Sequence, residues 1–305
     1  MAGMCEGRVC IVTGAGRGIG REHALMLAAH GARVVVNDLG ATMDGTGVDA
    51  SPAQQVVDEI VAAGGQAVAN GDDISDFAGA KRLVDHAIGE LGGLDVVVNN
   101  AGILRDRMLT NMTEAEWDAV IKVHLKGTFG PAHHAAAYWR ERAKAGEPND
   151  ARIINTTSVS GIYGNVGQSN YGAAKMGIAA FTFIAALELE RYGVTVNGIA
   201  PGALTRMTEN LSGFAPTDEQ REAMSPRWIA PVCTWLASPQ SAGITGRIFE
   251  ASGAVLAIAE GWHRGPTADP VDDPEAVDEV VRGLLKDARP PAGMDGRDLT
   301  GWEGR

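Results

Sequence analysis

Runs of lysine and arginine are absent from these 305 residues, and 26 basic side chains against 38 acidic ones leave a formal net charge of -12. Binding a phosphate backbone needs a concentrated basic surface, so no nucleic-acid partner is expected. The start, MAGMCEGRVCIVTG, lacks a basic stretch followed by an apolar one, and no apolar run reads as long enough to span a bilayer. These absences predict a soluble, cytoplasmic protein with no membrane partner. Cysteine is scarce as well. Cys5, Cys10 and Cys233 are odd in number and spaced for neither a zinc ribbon nor a disulfide framework, so reduced structural thiols are expected. His133 and His134 are neighbours that point in different directions on a helix, so they cannot share a metal as an i, i+4 pair could, and no metal site is expected. No repeat of fixed period occurs, which argues against a solenoid.

What is present is a rhythm. The β-branched segments RVCIVTG, ARVVVND, QAVAN, LDVVVNNAG, RIINTTS and VTVNGIAP alternate with helix-compatible stretches, among them one running to His30 and one near Ala53 to Ala63. Alternation of this kind means βαβ units and a parallel sheet. Val9 to Val12, Val34 to Val36 and Val96 to Val98 are apolar on both faces, as strands covered on both sides by helices must be. The expected architecture is therefore α/β, a Rossmann-like doubly wound sheet in one domain over residues 1–253. Residues 254–305 hold one plausible helix, PEAVDEVVRGLLKD, between Pro/Gly/Asp-rich stretches, and read as a C-terminal extension lying on the domain or on a partner subunit. GATMDGTGVDASP at 40 to 52 reads as a long loop, and AKAGEPND at 143 to 150 as a polar excursion ending a helix.

Strand one ends in TGAGRGIG, residues 13 to 20, and a helix opens at once. Glycines there let the backbone turn tightly and approach a pyrophosphate, while the helix N-terminus supplies free N–H groups and partial positive charge. Gly14, Arg17, Gly18, Ile19 and Gly20 are thus candidate dinucleotide contacts, although a bare strand-to-helix turn would use the same glycines. Asp38 closes the next strand at the distance where a carboxylate can take the adenosine ribose hydroxyls. It would repel a 2′-phosphate, which favours NAD over NADP despite nearby Arg17; capping the following turn is its plainer role. Asp73 and Ile74, and the NNAG at 99 to 102, also fall at the carboxyl ends of strands, where such a sheet binds ligand.

Ser158 lies just past the fifth strand, and Tyr171 and Lys175 are four apart, on one helical face. A phenol is a poor base at neutral pH, and a neighbouring ammonium favours the phenolate, so the pair reads as a tuned proton donor and acceptor with Ser158 holding a substrate oxygen. Tyr163 has Gly167 four residues on, not lysine, and is the weaker candidate. Met207, Leu211, Phe214, Met224 and Trp228 follow Pro201-Gly202 in a polar/apolar mixture that reads as a lid over an apolar substrate, though the same residues suit a core.

Thr13-Gly14-x-x-x-Gly18-x-Gly20, Asn99-Asn100-Ala101-Gly102, Ser158, Tyr171-x-x-x-Lys175 and Pro201-Gly202 together resemble the short-chain dehydrogenase/reductase family over residues 8 to about 253. NDLG at 37 to 40, NNAGILRDR at 99 to 107, VHLKG at 123 to 127, YGNVGQSNYGAAK at 163 to 175 and FEASG at 249 to 253 look more narrowly like its branch of (3R)-hydroxyacyl-CoA dehydrogenases found in peroxisomal multifunctional enzymes of type 2. The resemblance implies hydride transfer with NAD and a 3-hydroxyacyl-CoA or bulky steroid-like substrate. It makes Tyr171 the acid/base, gives Lys175 the tasks of lowering its pKa and binding the nicotinamide ribose, and has Ser158 orient the substrate oxygen. It places Asn100, Ala101 and Gly102 beside the cofactor, Asp73 and Ile74 at the adenine, and Pro201, Gly202, Leu204 and Thr205 at the carboxamide. His124 stands where most of the family has an asparagine that anchors a water to the lysine; a relay role and a packing role are both open to it. The alternatives to a hydroxyacyl-CoA dehydrogenase are a hydroxysteroid dehydrogenase and an NADPH-dependent 3-oxoacyl reductase, and a nucleotide-sensing protein without turnover is the reading from another class. The resemblance also implies a homodimer or homotetramer; FTFIAALELE after Lys175, apolar on most faces, suits a helix buried against sheet and partner together. The chain ends WEGR, without a peroxisomal Ser-Lys-Leu signal.

Overall fold

The computed structural model describes residues 3–40, 51–203 and 217–301. Eight strands form one sheet in the order β3-β2-β1-β4-β5-β6-β7-β8. They are β1 (Val9–Thr13), β2 (Arg33–Asn37), β3 (Gln66–Asn70), β4 (Val96–Asn99), β5 (Ala151–Thr156), β6 (Val194–Pro201), β7 (Ile248–Ala251) and β8 (Leu256–Ala259). The first seven run parallel, and the order reverses between β1 and β4, so a crevice opens at the carboxyl ends of those two strands. The helices are α1 (Gly18–Ala29), α2 (Ser51–Ala62), α3 (Phe77–Leu91), α4 (Glu114–Ile121), α5 (Gly127–Lys144), α6 (Val159–Ile162), α7 (Ser169–Leu189), α8 (Asp218–Ala223), α9 (Ala230–Ala237) and α10 (Val277–Asp287).

The valine-rich strands behave as their two-faced apolarity predicts. Cys10, Val12, Val34 and Val36 enter one core cluster with Leu27 and Ile60, whereas Val9, Ile11, Val35 and Val97 enter another with Leu83 and Trp139. Successive residues of a strand point to opposite faces, so each strand feeds both layers. The three cysteines are free and buried, and burial raises the pKa of each thiol. His133 and His134 pack with Phe77, at centroid distances of 5.2 and 4.3 Å, and His134 Nε2 lies 3.1 Å from Phe77 O.

Two expectations need correction. Ser169–Tyr192 is long and apolar enough to cross a membrane by length and composition, with mean hydropathy 1.4, so an apolar run of spanning length does occur. One side of it packs into the domain: Ala174, Ile178, Ala179, Ala185 and Ala186 are all buried. Its other side leaves Ile184 and Leu187 exposed. The sheet also runs past residue 253. After a bend at Ser252 and Gly253 the chain returns as β8, antiparallel to β7, with Ile248 opposite Ala259. The helix expected between Pro274 and Asp287 is α10, and Arg289 Nε meets Asp298 Oδ1 at 2.8 Å beyond it.

Candidate active site

The glycine turn at the end of β1 is built for a close approach. Gly14 and Gly18 have φ of +63° and +55°, and a Cβ on Gly14 would lie 2.7 Å from Ala101 Cα. Only glycine suits that conformation and that gap. The N-terminus of α1 carries no side-chain cap and no acidic residue in its first turn, so its free N–H groups and partial positive charge face the crevice. That donor set fits a pyrophosphate.

Thr13, which the sequence reading leaves without a role, clamps the turn to the next crossover. Its Oγ1 accepts the Asn100 and Ala101 N–H groups at 3.0 and 3.1 Å, and Asn100 Nδ2 donates back to Thr13 O and Gly14 O at 2.9 and 3.1 Å. Asn99 Nδ2 donates to Asn155 Oδ1 at 2.9 Å, and Asn155 Nδ2 to Thr182 Oγ1 at 2.9 Å, tying β4, β5 and α7 in series. The asparagines do brace neighbouring strands, and a hydroxyl at a strand end beside a glycine was the signal for Thr13. Asp38 serves the turn too, since its carboxylate accepts the Gly16 N–H at 2.8 Å and the Gly40 N–H at 2.7 Å. The plain capping role is therefore real, and it fixes the carboxylate at the rim of the crevice.

A cavity of about 500 Å³ occupies the crevice. Gly14, Arg17, Gly18, Ile19, Gly20, Asp38, Asp73, Ile74, Asn100, Ala101, Gly102, His124, Tyr171, Lys175 and Pro201 line it, as the sequence reading anticipates, together with Arg105 and Lys122, which that reading does not single out. Gly202 is turned to β7 instead, its N–H donating to Ala251 O at 2.8 Å. Leu204 and Thr205, with Met207, Leu211 and Phe214 of the expected lid, lie outside the described residues. So does most of the loop expected at 40 to 52.

Ser158 caps α6, its Oγ accepting the Ser160 N–H at 3.1 Å, and it lies near enough to the Tyr171 phenol to favour the phenolate, although it does not itself line the cavity. Lys175 Nζ lies 5.6 Å from the Tyr171 ring centroid and donates to Thr156 O at 2.6 Å. The ionisation of the pair differs from expectation. Burial pushes the phenol up to about 12, with Ser158's hydrogen bond opposing and Asp106 adding to the rise, and it pulls the lysine down to about 7. Taking each group out of water disfavours its charged form, and that sets the direction of both shifts. His124 sits in a π-helical turn, Lys122–Lys126, whose extra residue per turn leaves its ring in the site. Its Nε2 is 2.7 Å from Ile103 O, its Nδ1 has no hydrogen-bond partner among the described residues, and burial lowers its pKa to about 3. Tyr163 is elsewhere: it donates to Glu250 Oε1 and abuts Gly296 of the extension.

The family model for short chain dehydrogenases matches residues 8–215. The chain belongs to that family. This short-chain dehydrogenase is 45% identical over 305 residues to hydroxyacyl-CoA dehydrogenase ChsB1 of Mycobacterium tuberculosis, covering 96% of this chain and 93% of that one. It is 43% identical over 284 residues to peroxisomal multifunctional enzyme type 2 of Drosophila melanogaster, covering 90% of this chain but only 44% of that larger enzyme. Among solved structures, a short chain dehydrogenase from Mycobacterium avium superimposes with a TM-score of 0.86 at 54% identity, covering 95% of this chain and 98% of that one. The chain is an oxidoreductase of a family that works with nicotinamide dinucleotides, and the narrower likeness read from NDLG, VHLKG and YGNVGQ agrees with the relatives found.

Proposed function

We propose that this short-chain dehydrogenase oxidises the C3 hydroxyl of a (3R)-hydroxyacyl-CoA thioester, with NAD as the partner cofactor. The observation that carries the reading is that Tyr171 and Lys175, with Ser158 near the phenol, line the same cavity as the glycine turn at α1. A bound nicotinamide dinucleotide supplies the hydride acceptor. Gly14, Gly18 and the N–H groups of α1 would hold its pyrophosphate, Asp38 its adenosine ribose, and Lys175 its nicotinamide ribose. Tyr171, acting in its phenolate form, takes the hydroxyl proton as the hydride leaves C3, and Ser158, donating toward the same oxygen, keeps the substrate within reach of the phenolate.

NAD is favoured because Asp38 is held in place by two N–H groups, so it cannot easily swing away from a 2′-phosphate. The acyl substrate rests on the kinship with ChsB1. A homo-oligomer belongs to the same reading, supported by the exposed Phe129 on α5 and the exposed Ile184 and Leu187 on α7, side chains that an adjoining copy would cover. The deciding experiment is a panel of (3R)-hydroxyacyl-CoA and hydroxysteroid substrates run with NAD and with NADP. Turnover of the thioesters with NAD supports the proposal. Turnover of free steroids alone, or faster reaction with NADP, overturns it.

A further inference from the structure

Asn170 precedes Tyr171 and has no exposed surface. Its amide is divided among three backbone groups from three segments. Nδ2 donates to Arg105 O at 3.0 Å and to Glu116 O at 3.2 Å, while Oδ1 accepts the Tyr171 N–H at 2.7 Å. That N–H is among the donors in the first turn of α7 that lack an intrahelical partner, and Gln168, at the N-cap, supplies no side-chain bond to the helix. A second tether runs alongside. Arg107 N–H donates to Gly167 O at 2.9 Å, and Gln168 Nε2 to Asp106 Oδ2 at 2.7 Å.

The loop so tied is the one that holds His124. Ile103 presents its backbone to His124 Nε2, and the imidazole meets the Tyr171 ring edge-on. Contacts therefore pass from Asn170 to Arg105, back along the loop to Ile103, across to His124 and onto the ring of Tyr171, returning through the backbone to Asn170. Asn170 itself does not line the cavity. A closed circuit of this kind fixes where a phenol points, since the ring is held through its backbone at one end and against a packed imidazole on its side.

We propose that Asn170 is a positioning residue for proton transfer, setting the Tyr171 phenol by tying the first turn of α7 to the 103–107 loop and to α4. The proposal rests on Tyr171 being the proton-transfer group. It assigns no contact with substrate or cofactor to Asn170, so its loss should strike turnover and leave dinucleotide binding alone.

The test compares Asn170→Ala and Asn170→Ser with the wild type. Turnover is followed on the hydroxyacyl-CoA that the wild type uses fastest, NADH affinity by fluorescence, and the Tyr171 phenol by the pH titration of near-ultraviolet tyrosinate absorbance, isolated by subtracting Tyr171→Phe. Asn170→Ala should lose ~100-fold in kcat, the scale of an ångström-sized misplacement. Its NADH affinity should stay within about twofold and its phenol titration should move, while Asn170→Ser, which keeps one donor, should recover part of the loss. Turnover within about threefold of wild type with an unmoved titration overturns the proposal, as does a fall in kcat that only tracks the fraction of folded protein. Should Asn170→Ala fail to fold, Asn170→Ser is judged by the same readouts. A wild type that turns over no hydroxyacyl thioester would sink the substrate reading, and the tyrosinate titration would still decide the role of Asn170.

Discussion

The imidazole of His124 meets the ring of Tyr171 edge-on, with centroids 5.2 Å apart and planes at 89°. A histidine whose Nε2 is engaged with Ile103, whose Nδ1 has no hydrogen-bond partner among the described residues and whose pKa burial lowers to about 3 is neutral at physiological pH and packs around the phenol. Edge-to-face contact is a favoured arrangement for such rings.

Gly102 leaves room for that imidazole. A Cβ there would fall 2.3 Å from His124 Cε1. Gly102→Ala should push the ring toward Tyr171 and cut kcat by about 10-fold or more, because small displacements at a reacting group are costly. Combining it with His124→Ala should give less than the product of the two separate losses, since the clash is then relieved. Steady-state kinetics of the four proteins checks this, and strict multiplicativity would speak against the contact.

The two tyrosines of the 163 to 171 stretch should separate cleanly. Tyr171→Phe should lower kcat by ~10²- to 10⁴-fold, the usual range for a general acid/base, with NADH affinity retained. Tyr163→Phe should keep turnover within about threefold while losing about 1 kcal/mol of stability with its hydrogen bond to Glu250. Kinetics and urea melts of both variants decide it.

Asp38 is asked to do two things. Asp38→Ala should raise the ratio of NADP to NAD efficiency by about 10-fold or more by removing carboxylate repulsion. It should also cost about 1 to 3 kcal/mol of stability, since the Gly16 and Gly40 N–H groups lose their acceptor. An unchanged ratio in parallel assays with the two cofactors would remove Asp38 from cofactor selection.

Acid sensitivity should be traceable to His23, buried in α1 away from the active site, with its pKa lowered by burial from 6.5 to about 3. Between those values the unfolded chain binds a proton that the native state refuses, so stability falls as pH drops below 6.5. One such group changes the unfolding free energy by up to ~1.4 kcal/mol per pH unit. His124 acts with the same sign. Urea melts from pH 6.5 down to about 4 should show the loss, and His23→Leu should reduce the slope by about one proton; an unaltered slope would contradict it.

What the sequence determines by itself is what lies within contiguous segments. Valines on both faces of short runs announce a sheet covered on both sides, the glycines of TGAGRGIG announce a turn that admits a phosphate, and an i, i+4 spacing puts Tyr171 and Lys175 on one face. These are local rules of strand, turn and helix, and the structure keeps them. Only the tertiary structure decides the partners that span the chain, such as Asn99 with Asn155, 56 positions apart, Tyr163 with Glu250, 87 apart, and the circuit from Asn170 to His124. It also decides the protonation of Tyr171 and Lys175. Sequence spacing suggests an attraction between them, but burial is a property of the whole fold, and it raises the phenol's pKa and lowers the lysine's.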